Sequence, residues 1–362
     1  MRAAVMTEFG KPFEMQELDQ APPGPGEVRV QIMACAICHS DIHFADGELG
    51  GELPMVLGHE ASGRVLEVGE GVSDVAVGDR VSVTLVRHCG DCPCCSKGYL
   101  ATCETHLRDK HTPLSKDGEP VTHGIKTAAF AEETVVHASQ VVKVGDKISW
   151  EAAALLACGV ITGYGAATHT AQIEEGATVA VVGCGGVGLN AVQGAKACKA
   201  GQIIAVDLAE DRLEAAMAFG ATDRVNASQD DAIRGVRNAT GKRGADYVII
   251  TVGSEAAINQ SFRMAAPGGA IVLVGLPHAE AQTVFSPVVF SSLSQRVLGS
   301  VMGHMDIKQE IPKLVAAYEA GELKLDELVS QHFTFDQVNE AMDATRRGEG
   351  LRNVVMIGAS ET

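Results

Sequence analysis

Apolar runs and helix-forming segments alternate along the chain, most regularly between residues 178 and 300. In the first repeat of this pattern, Val179, Val181 and Val182 form a β-branched run that is followed by glycines, by helix formers and by a second apolar run ending at Asp207. This order is typical of a β-α-β unit. Further strands are predicted at 246–252 and 271–275, and helices at 209–219 and 254–264. The alternation predicts an α/β fold with a doubly wound parallel sheet.

The segments on either side of this region carry shorter strands. Val28, Val30 and Ile32 alternate with residues of the opposite face, as in a half-buried strand. Turn residues between 104 and 127 predict a surface loop. Other elements are predicted as strands at 129–136, 141–144 and 353–357 and as helices at 308–320 and 335–347.

The most apolar stretch lies within Trp150–Thr170. Its Ala, Leu and Glu residues favour a helix, which Gly159 is predicted to end. The stretch is short and broken by glycines, so we interpret it as a packed helix and not as a membrane span. Near the N-terminus, Glu8 stands where a secretory signal would need an apolar core, which predicts a cytoplasmic protein.

Length and charge narrow the class of protein. A chain of 362 residues is longer than most single domains and predicts two. The net charge of −17 argues against nucleic acid or a membrane surface as partner and favours a small organic substrate. Ten cysteines in a chain of this kind indicate metal sites or reactive thiols more than a disulfide framework.

The glycines of the first β-α-β unit form a GxGxxG motif between strand and helix. Such glycines allow a tight turn and let the backbone approach a pyrophosphate at the helix N-terminus. Asp207 follows about 20 positions later, where a carboxylate accepts hydrogen bonds from ribose hydroxyls. An acid here, with no Arg directly after it, favours NAD over NADP. The predicted cofactor-binding residues of this motif are Gly183, Gly185, Gly186, Val187, Gly188 and Asp207.

Two groups of residues are suited to metal binding. Cys38 and His59 come from separate loops and offer a thiolate and an imidazole for a tetrahedral ion. The second group has the spacing CxxCxxCx7C, which can close a shell of four thiolates around zinc, and it consists of Cys89, Cys92, Cys95 and Cys103. Cys94 is an additional thiol within this segment that could compete for the ion.

A further motif reads GHExxGxxxxxGxxV and consists of Gly58, His59, Glu60, Gly63, Gly69 and Val72. It resembles the signature of zinc-dependent alcohol dehydrogenases of the medium-chain dehydrogenase/reductase superfamily. The resemblance covers essentially the whole chain. It implies a Rossmann-type NAD-binding domain at 159–301 and a discontinuous, mainly β, GroES-like catalytic domain at 1–158 and 302–362, with a structural zinc lobe at 88–104.

The resemblance also implies roles for individual residues. Cys38, His59 and Cys158 would ligate a catalytic zinc with one open position, Glu60 would lie behind it, and Asp41 would orient the His59 ring. A proton would pass from Ser40 through the cofactor ribose to His43. Further cofactor contacts are implied for His39, which replaces an arginine, and for Thr162, Arg212, Val274 and Arg352.

We therefore predict an enzyme with two zinc ions per chain that transfers hydride between a primary or aryl/allylic alcohol and NAD. A thiol-adduct formaldehyde dehydrogenase, a polyol dehydrogenase and a form that retains its NAD remain open, as does a zinc-ribbon scaffold without turnover. Two bound zinc ions support the enzyme and one supports the scaffold. Apolar segments at 271–276 and after Val284 resemble a dimerisation edge, which predicts a homodimer or homotetramer.

Overall fold

The computed structural model describes residues 1–106 and 111–358. They form two compact units, one made of Met1–Cys158 and Asp306 onward and the other of Gly159–Met305. Within the predicted loop at 104–127, positions 107–110 lie outside the described residues, as does the end of the predicted domain from 359.

The Gly159–Met305 unit is built on a six-stranded parallel sheet. The strand that begins the GxGxxG motif lies near its centre, and strands are added outward on both sides, which confirms the predicted doubly wound sheet. The strand order across the sheet is Asp223–Asn226, Gln202–Asp207, Thr178–Val182, Ala245–Ile250, Ala265–Leu273 and Arg296–Gly299. Its helices are Ile161–Gly165, Gly186–Ala197, Glu210–Phe219, Ala232–Ala239, Glu255–Met264 and Pro287–Ser292, with a 3₁₀ turn at Met302–His304.

The other unit is mainly β. Its largest sheet runs Val141–Lys143, Arg80–Val83, Glu60–Val68, Glu27–Ala36, Arg352–Met356 and Val329–Thr334, with Glu133–His137 also paired to Glu27–Ala36. A four-stranded sheet contains Thr122–His123, Met55–Val56, Arg2–Met6 and Glu14–Glu17, and a three-stranded one contains Asp19–Gln20, Leu114–Lys116 and Glu119–Pro120. Its helices are His39–Ala45, Trp150–Leu155, Ile307–Glu319 and Val338–Arg346. Its 3₁₀ turns are Cys95–Lys97, Leu100–Thr102, Gly124–Lys126, Ala138–Gln140, Asp326–Leu328 and Phe335–Gln337.

Each unit has its own apolar core. Val30, Ile32 and Phe130 are fully buried in the mainly β unit, whereas Ile204 and Val248 belong to the core of the parallel sheet. Because these residues alternate along half-buried strands in the first case and form continuous runs in the second, the two cores follow from the two hydrophobic patterns of the sequence.

The prediction that Gly159 ends a helix is wrong. The helix continues through π-helical turns at Leu156–Val160 and Ala166–Thr170. By length and composition Trp150–Thr170 could cross a membrane, but 78% of its most apolar window is buried. Such burial is that of a core helix, and it outweighs the poor helix propensity of glycine.

Candidate active site and cofactor loop

The first predicted metal site is assembled from three elements of the mainly β unit. Cys38 precedes the helix His39–Ala45, His59 and Glu60 stand at the start of the strand Glu60–Val68, and Cys158 lies in a π-helical turn. The structure brings all four together, since their ligand atoms lie within 4.8 Å of one another. π-Helical turns often occur at functional sites, and this one places the Cys158 thiol beside two loops that are distant in sequence.

Asp41 links the two ligand-bearing loops. One of its carboxylate oxygens accepts hydrogen bonds from the backbone N–H of Gly58 and from Nδ1 of His59, both at 3.1 Å, while the other accepts from the N–H of Cys38 at 3.1 Å. Both Asp41 and His59 are fully buried. The hydrogen bond to Nδ1 fixes the ring and leaves Nε2 as the nitrogen that can bind a metal ion.

The donor atoms fit a metal ion. Nε2 of His59 and Oε1 of Glu60 are buried and have no hydrogen-bond partner among the described residues. A buried polar atom without a partner is costly, and a cation in the middle of the four groups would satisfy both. Two sulfurs and an imidazole nitrogen form a set that suits a catalytic zinc with its fourth tetrahedral position open, and the Glu60 carboxylate lies near them.

The electrostatics of the cluster favour one thiolate and oppose a second negative charge. A hydrogen bond from Cys158 and the charge of His59 outweigh burial and hold the pKa of Cys38 well below its usual range. The same hydrogen bond, together with burial, raises the pKa of Cys158. Burial lowers the pKa of His59, but the charges of Asp41 and Cys38 outweigh it and leave the pKa raised. The cluster thus holds a thiolate at Cys38 beside a thiol at Cys158. A metal ion that bound both sulfurs would displace the proton of the thiol.

Arg352 lies behind this cluster and pairs with Glu60. Both side chains are buried, and the guanidinium contacts the Glu60 carboxylate directly. Burial raises the pKa of Glu60 to about 7, against the opposing pull of Arg352. The family resemblance implied a cofactor contact for Arg352. The structure places its guanidinium against Glu60, and the cofactor contact stays a prediction.

The second predicted metal site is also assembled. The sulfurs of Cys89, Cys92, Cys95 and Cys103 lie within 4.8 Å of one another, and all ten cysteines of the chain are free thiols. Backbone N–H groups point at these sulfurs, for example from Cys92 to Cys89 at 3.4 Å. Cys94 is not part of the group, because its sulfur lies 3.2 Å from a carboxylate oxygen of Glu104. The four sulfurs form a closed set suited to structural zinc.

Ser40 and His43 stand one turn apart on the helix His39–Ala45 and therefore share a face. The Ser40 hydroxyl lies 3.7 Å from the Cys38 sulfur. Nδ1 of His43 lies 2.5 Å from a carboxylate oxygen of Glu48, a residue that the motif did not single out. His39 is exposed at the start of the same helix.

In the parallel-sheet unit, the glycines form the loop between Thr178–Val182 and the helix Gly186–Ala197. A side chain at Gly188 would collide with the carbonyl of Gly183, so the close packing of this turn requires glycine. At Gly185, by contrast, an added Cβ would have no atom of the described residues within 4 Å apart from its neighbours in the chain. This open space at a helix N-terminus fits a phosphate.

Asp207 ends the neighbouring strand and contacts the loop. Its carboxylate accepts hydrogen bonds from the N–H groups of Cys184 and Leu208 at 2.7 Å and of Ala209 at 3.0 Å. Three backbone donors fix the position of the carboxylate, with capacity for one further hydrogen bond.

The remaining predicted cofactor residues lie in the same unit, but no cofactor contact follows from their positions alone. Thr162 lies on the helix Ile161–Gly165 with its hydroxyl 3.6 Å from the Met302 sulfur, and Arg212 is in the first turn of Glu210–Phe219. Val274 is nearly buried, and its N–H donates to Ile250. Val187 is in the first turn of the glycine-loop helix.

One unit of the chain is a parallel sheet with a glycine loop, and the other is mainly β and carries a Cys/His/Cys cluster and a four-cysteine lobe. This combination defines a metal- and nucleotide-dependent dehydrogenase. Comparison with known proteins agrees. Residues 24–146 match the family model of the alcohol dehydrogenase GroES-like domain, and residues 186–320 match that of the zinc-binding dehydrogenase.

Full-length relatives extend this result. The chain is 36% identical over 367 residues to an alcohol dehydrogenase of Malus domestica, covering 98% of this chain and 96% of the relative. It is 35% identical over 368 residues to the NDMA-dependent alcohol dehydrogenase of Amycolatopsis methanolica, covering 99% of both. The crystal structure of benzyl alcohol dehydrogenase from Acinetobacter calcoaceticus superimposes with a TM-score of 0.92 at 30% identity, covering 99% of both chains. The chain belongs to the zinc-dependent alcohol dehydrogenase family of the medium-chain dehydrogenase/reductase superfamily, as the sequence predicted.

Proposed function

We propose that the protein oxidises a primary or aryl/allylic alcohol to the aldehyde, transferring hydride to NAD, and that it carries two zinc ions per chain. The observation that carries this proposal is the group of Cys38, His59 and Cys158, in which the buried Nε2 of His59 has no hydrogen-bond partner among the described residues. Bound zinc would act there as a Lewis acid that makes an alcohol hydroxyl more acidic, and nicotinamide would accept the hydride.

Residues of the chain itself would orient the ligands and move the proton. Asp41 orients His59, and Arg352 keeps the Glu60 carboxylate paired within the buried cluster. Ser40, beside the Cys38 sulfur, would take a proton from the alcohol, and His43 on the same helix face would receive it by way of the cofactor ribose. The four-cysteine lobe holds its segment in shape and has no open ligand position.

Asp207 supports NAD as the cofactor. Its carboxylate is held at the strand end beside the glycine loop, where the 2'-phosphate of NADP would meet a like charge. The residue after it is Leu208, which offers no cation to such a phosphate. His39, Thr162, Arg212, Val274 and Arg352 remain proposed contacts of the same cofactor.

We further propose a homo-oligomer in the cytoplasm. Ten free thiols are typical of a reducing compartment. The strand Arg296–Gly299 ends the parallel sheet, and next to it the helix Pro287–Ser292 has no buried residue. A second copy that covered this edge would bury its exposed valines.

A second candidate is an enzyme that retains its NAD and passes the electrons to another acceptor. The similarity over 99% of both chains to a relative named as NDMA-dependent favours it. Such a protein would purify with NAD bound and would release little NADH.

The deciding experiment measures NADH formation by absorbance with ethanol, benzyl alcohol, a terpene alcohol, a secondary alcohol and a polyol, with NAD and NADP compared, before and after chelation. A parallel assay measures the consumption of NDMA with the same alcohols. We expect chelator-sensitive turnover with NAD and a primary or aryl alcohol. Turnover that requires NDMA would support the second candidate. If no alcohol were oxidised in any of these assays by protein that holds two zinc ions, both candidate functions would be contradicted.

A further inference from the structure

The turn after the helix His39–Ala45 folds the chain back over that helix. The N–H of Asp46 donates to Ile42, that of Gly47 to Phe44 and that of Glu48 to His43. Gly47 has a φ of +81°, in the left-handed region that favours glycine. Three consecutive N–H groups thus satisfy the last carbonyls of the helix and fix the backbone of Glu48 beside its final turn.

This turn places the Glu48 carboxylate on the His43 ring. Oε2 of Glu48 lies 2.5 Å from Nδ1 of His43, and the side chains are 31% and 25% exposed. A carboxylate accepts a hydrogen bond and does not donate one when it is ionised, so the contact requires a proton on Nδ1. In the neutral ring the other nitrogen, Nε2, is then the acceptor.

We propose that Glu48 is a positioning residue that holds His43 in the tautomer with the proton on Nδ1, so that Nε2 accepts the proton released when the alcohol is oxidised. The inference rests on the proposed function and deepens it. The alcohol loses a hydride, with two electrons, to the cofactor, and it loses its hydroxyl proton toward Nε2. His43 becomes an imidazolium, which the Glu48 carboxylate stabilises, and then returns the proton to solvent; Glu48 stays ionised throughout.

The other charged groups around the turn are engaged elsewhere. Asp46 pairs with Arg346 at 2.7 Å, and Arg346 also pairs with Asp343 at 2.9 Å. Arg346 and Asp343 both lie in the helix Val338–Arg346, which packs against the helix His39–Ala45. His39, at the opposite end of the helix, is exposed. Glu48 is therefore the carboxylate of this turn that bonds His43, and Asp46 is a matched carboxylate that bonds an arginine instead.

The test compares the wild type with Glu48→Gln, Glu48→Asp and Asp46→Asn, using single-turnover hydride transfer across a range of pH. Because the amide cannot stabilise the imidazolium, Glu48→Gln is expected to lower the plateau rate about tenfold and to move the acidic limb of the profile to lower pH. Glu48→Asp restores part of the rate, and Asp46→Asn keeps the wild-type profile. The dissociation constant for NAD should stay within about twofold of wild type in all three variants. A wild-type rate and profile in Glu48→Gln would overturn the inference and leave the proposed function standing.

A second readout does not depend on turnover. In protein labelled with ¹⁵N-histidine, the His43 signal, identified by its loss in His43→Gln, should show the Nδ1–H tautomer in the wild type and lose that preference in Glu48→Gln. An Nε2–H tautomer in the wild type would overturn the inference even in an active enzyme. An inert wild type would overturn the proposed function, and this spectrum would then still decide whether Glu48 sets the ring.

Discussion

At the scale of single residues, Asp41 has the largest predicted effect on the metal cluster. Its carboxylate bonds the His59 ring and the N–H groups of Gly58 and Cys38, so it fixes ligands from two loops at once. Asp41→Asn keeps the size and removes the charge, and we expect zinc affinity at the Cys38/His59/Cys158 site to fall about 10–100-fold. Metal content during a chelator titration measures this effect.

The same titration contains its own control, because the zinc of the four-cysteine lobe should be lost at the wild-type chelator concentration. Asp79→Asn removes a carboxylate that pairs with Lys143 and should retain both ions. Retention of both ions by Asp41→Asn, at wild-type chelator concentrations, would show that the geometry of the cluster does not depend on this carboxylate.

His123 predicts a pH dependence of stability. Burial, together with the positive charges of Arg87 and His111, lowers the pKa of His123 to about 3. The unfolded chain, with a value near 6.5, binds the proton over a range in which the folded chain does not. The contribution of His123 to the free energy of unfolding is therefore fully present above about pH 6.5. It is lost as the pH falls toward about 3, by at most about 1.4 kcal/mol per pH unit.

Urea midpoints at pH 7.5 and at pH 5 test this sign. His123→Gln should be less sensitive to acid than the wild type, because the protonating group is gone. His278→Gln, which changes an exposed histidine of the other unit, should keep the wild-type sensitivity. If His123→Gln lost as much stability in acid as the wild type, His123 would not be the group responsible.

The sequence predicted which residues form the two candidate metal sites, but it did not predict their neighbours. Cys38 and His59 belong to local motifs, and motifs are readable without a structure. The pair of Glu60 with Arg352 joins positions 292 residues apart, and no spacing rule predicts such a contact. The pair of His43 with Glu48 had a local signal in the Asp46-Gly47 turn, which places the next side chain back on the helix.

At the scale of elements, the helix Trp150–Thr170 shows the limit of local propensity. Gly159 is a poor helix former, yet the helix continues past it because the surrounding residues are buried on all sides. The result is a π-helical turn at Cys158, which no propensity scale would have placed there. In contrast, the strands predicted at 246–252 and 271–275 and the helices predicted at 209–219 and 254–264 overlap observed ones, because each is a local pattern. The strands Asp223–Asn226 and Arg296–Gly299 and the helices Ala232–Ala239 and Pro287–Ser292 were not predicted.

The glycine loop gives a prediction that separates binding from folding. A methyl group at Gly185 would meet nothing within 4 Å in the described part of the chain except its sequence neighbours, so Gly185→Ala should fold as the wild type does but occupy the space proposed for the phosphate. We expect the dissociation constant for NAD to rise at least about tenfold, measured by calorimetry. Gly145→Ala, where the nearest atom is a side-chain oxygen at 3.5 Å, should leave NAD binding unchanged. Unaltered binding in Gly185→Ala would place the cofactor elsewhere.

The four-cysteine lobe predicts different results for two adjacent thiols. Cys95→Ser removes a sulfur of the group, and the variant should hold one zinc fewer per chain. Cys94→Ser, at the next position, should hold the wild-type number, because the Cys94 sulfur faces Glu104. Elemental analysis of both variants distinguishes these outcomes. Loss of zinc from Cys94→Ser would mean that this thiol enters the ligand set.

At the scale of the whole molecule, the mainly β unit was the least predictable part. The strand Arg352–Met356 pairs with Glu27–Ala36 across more than 300 residues, and the largest sheet is complete only when the chain returns after the parallel-sheet unit. Hydrophobic alternation identifies such strands but does not choose their partners. Only the resemblance to a known family implied that the two ends of the chain form one unit.

The proposed oligomer is the last property of the whole molecule that can be tested. Val297 on the edge strand is 41% exposed, and Val288 on the adjacent helix is 73% exposed. An exposed strand edge beside apolar side chains favours pairing with a second copy, despite the repulsion expected from a net charge of −17. We expect Val297→Lys to shift the protein to a smaller species in sedimentation analysis, since a buried lysine would lack a partner. Val77→Lys makes the same change at an exposed valine of the mainly β unit and should keep the wild-type mass. An unchanged mass in Val297→Lys would exclude this edge as the interface, whatever the oligomeric state.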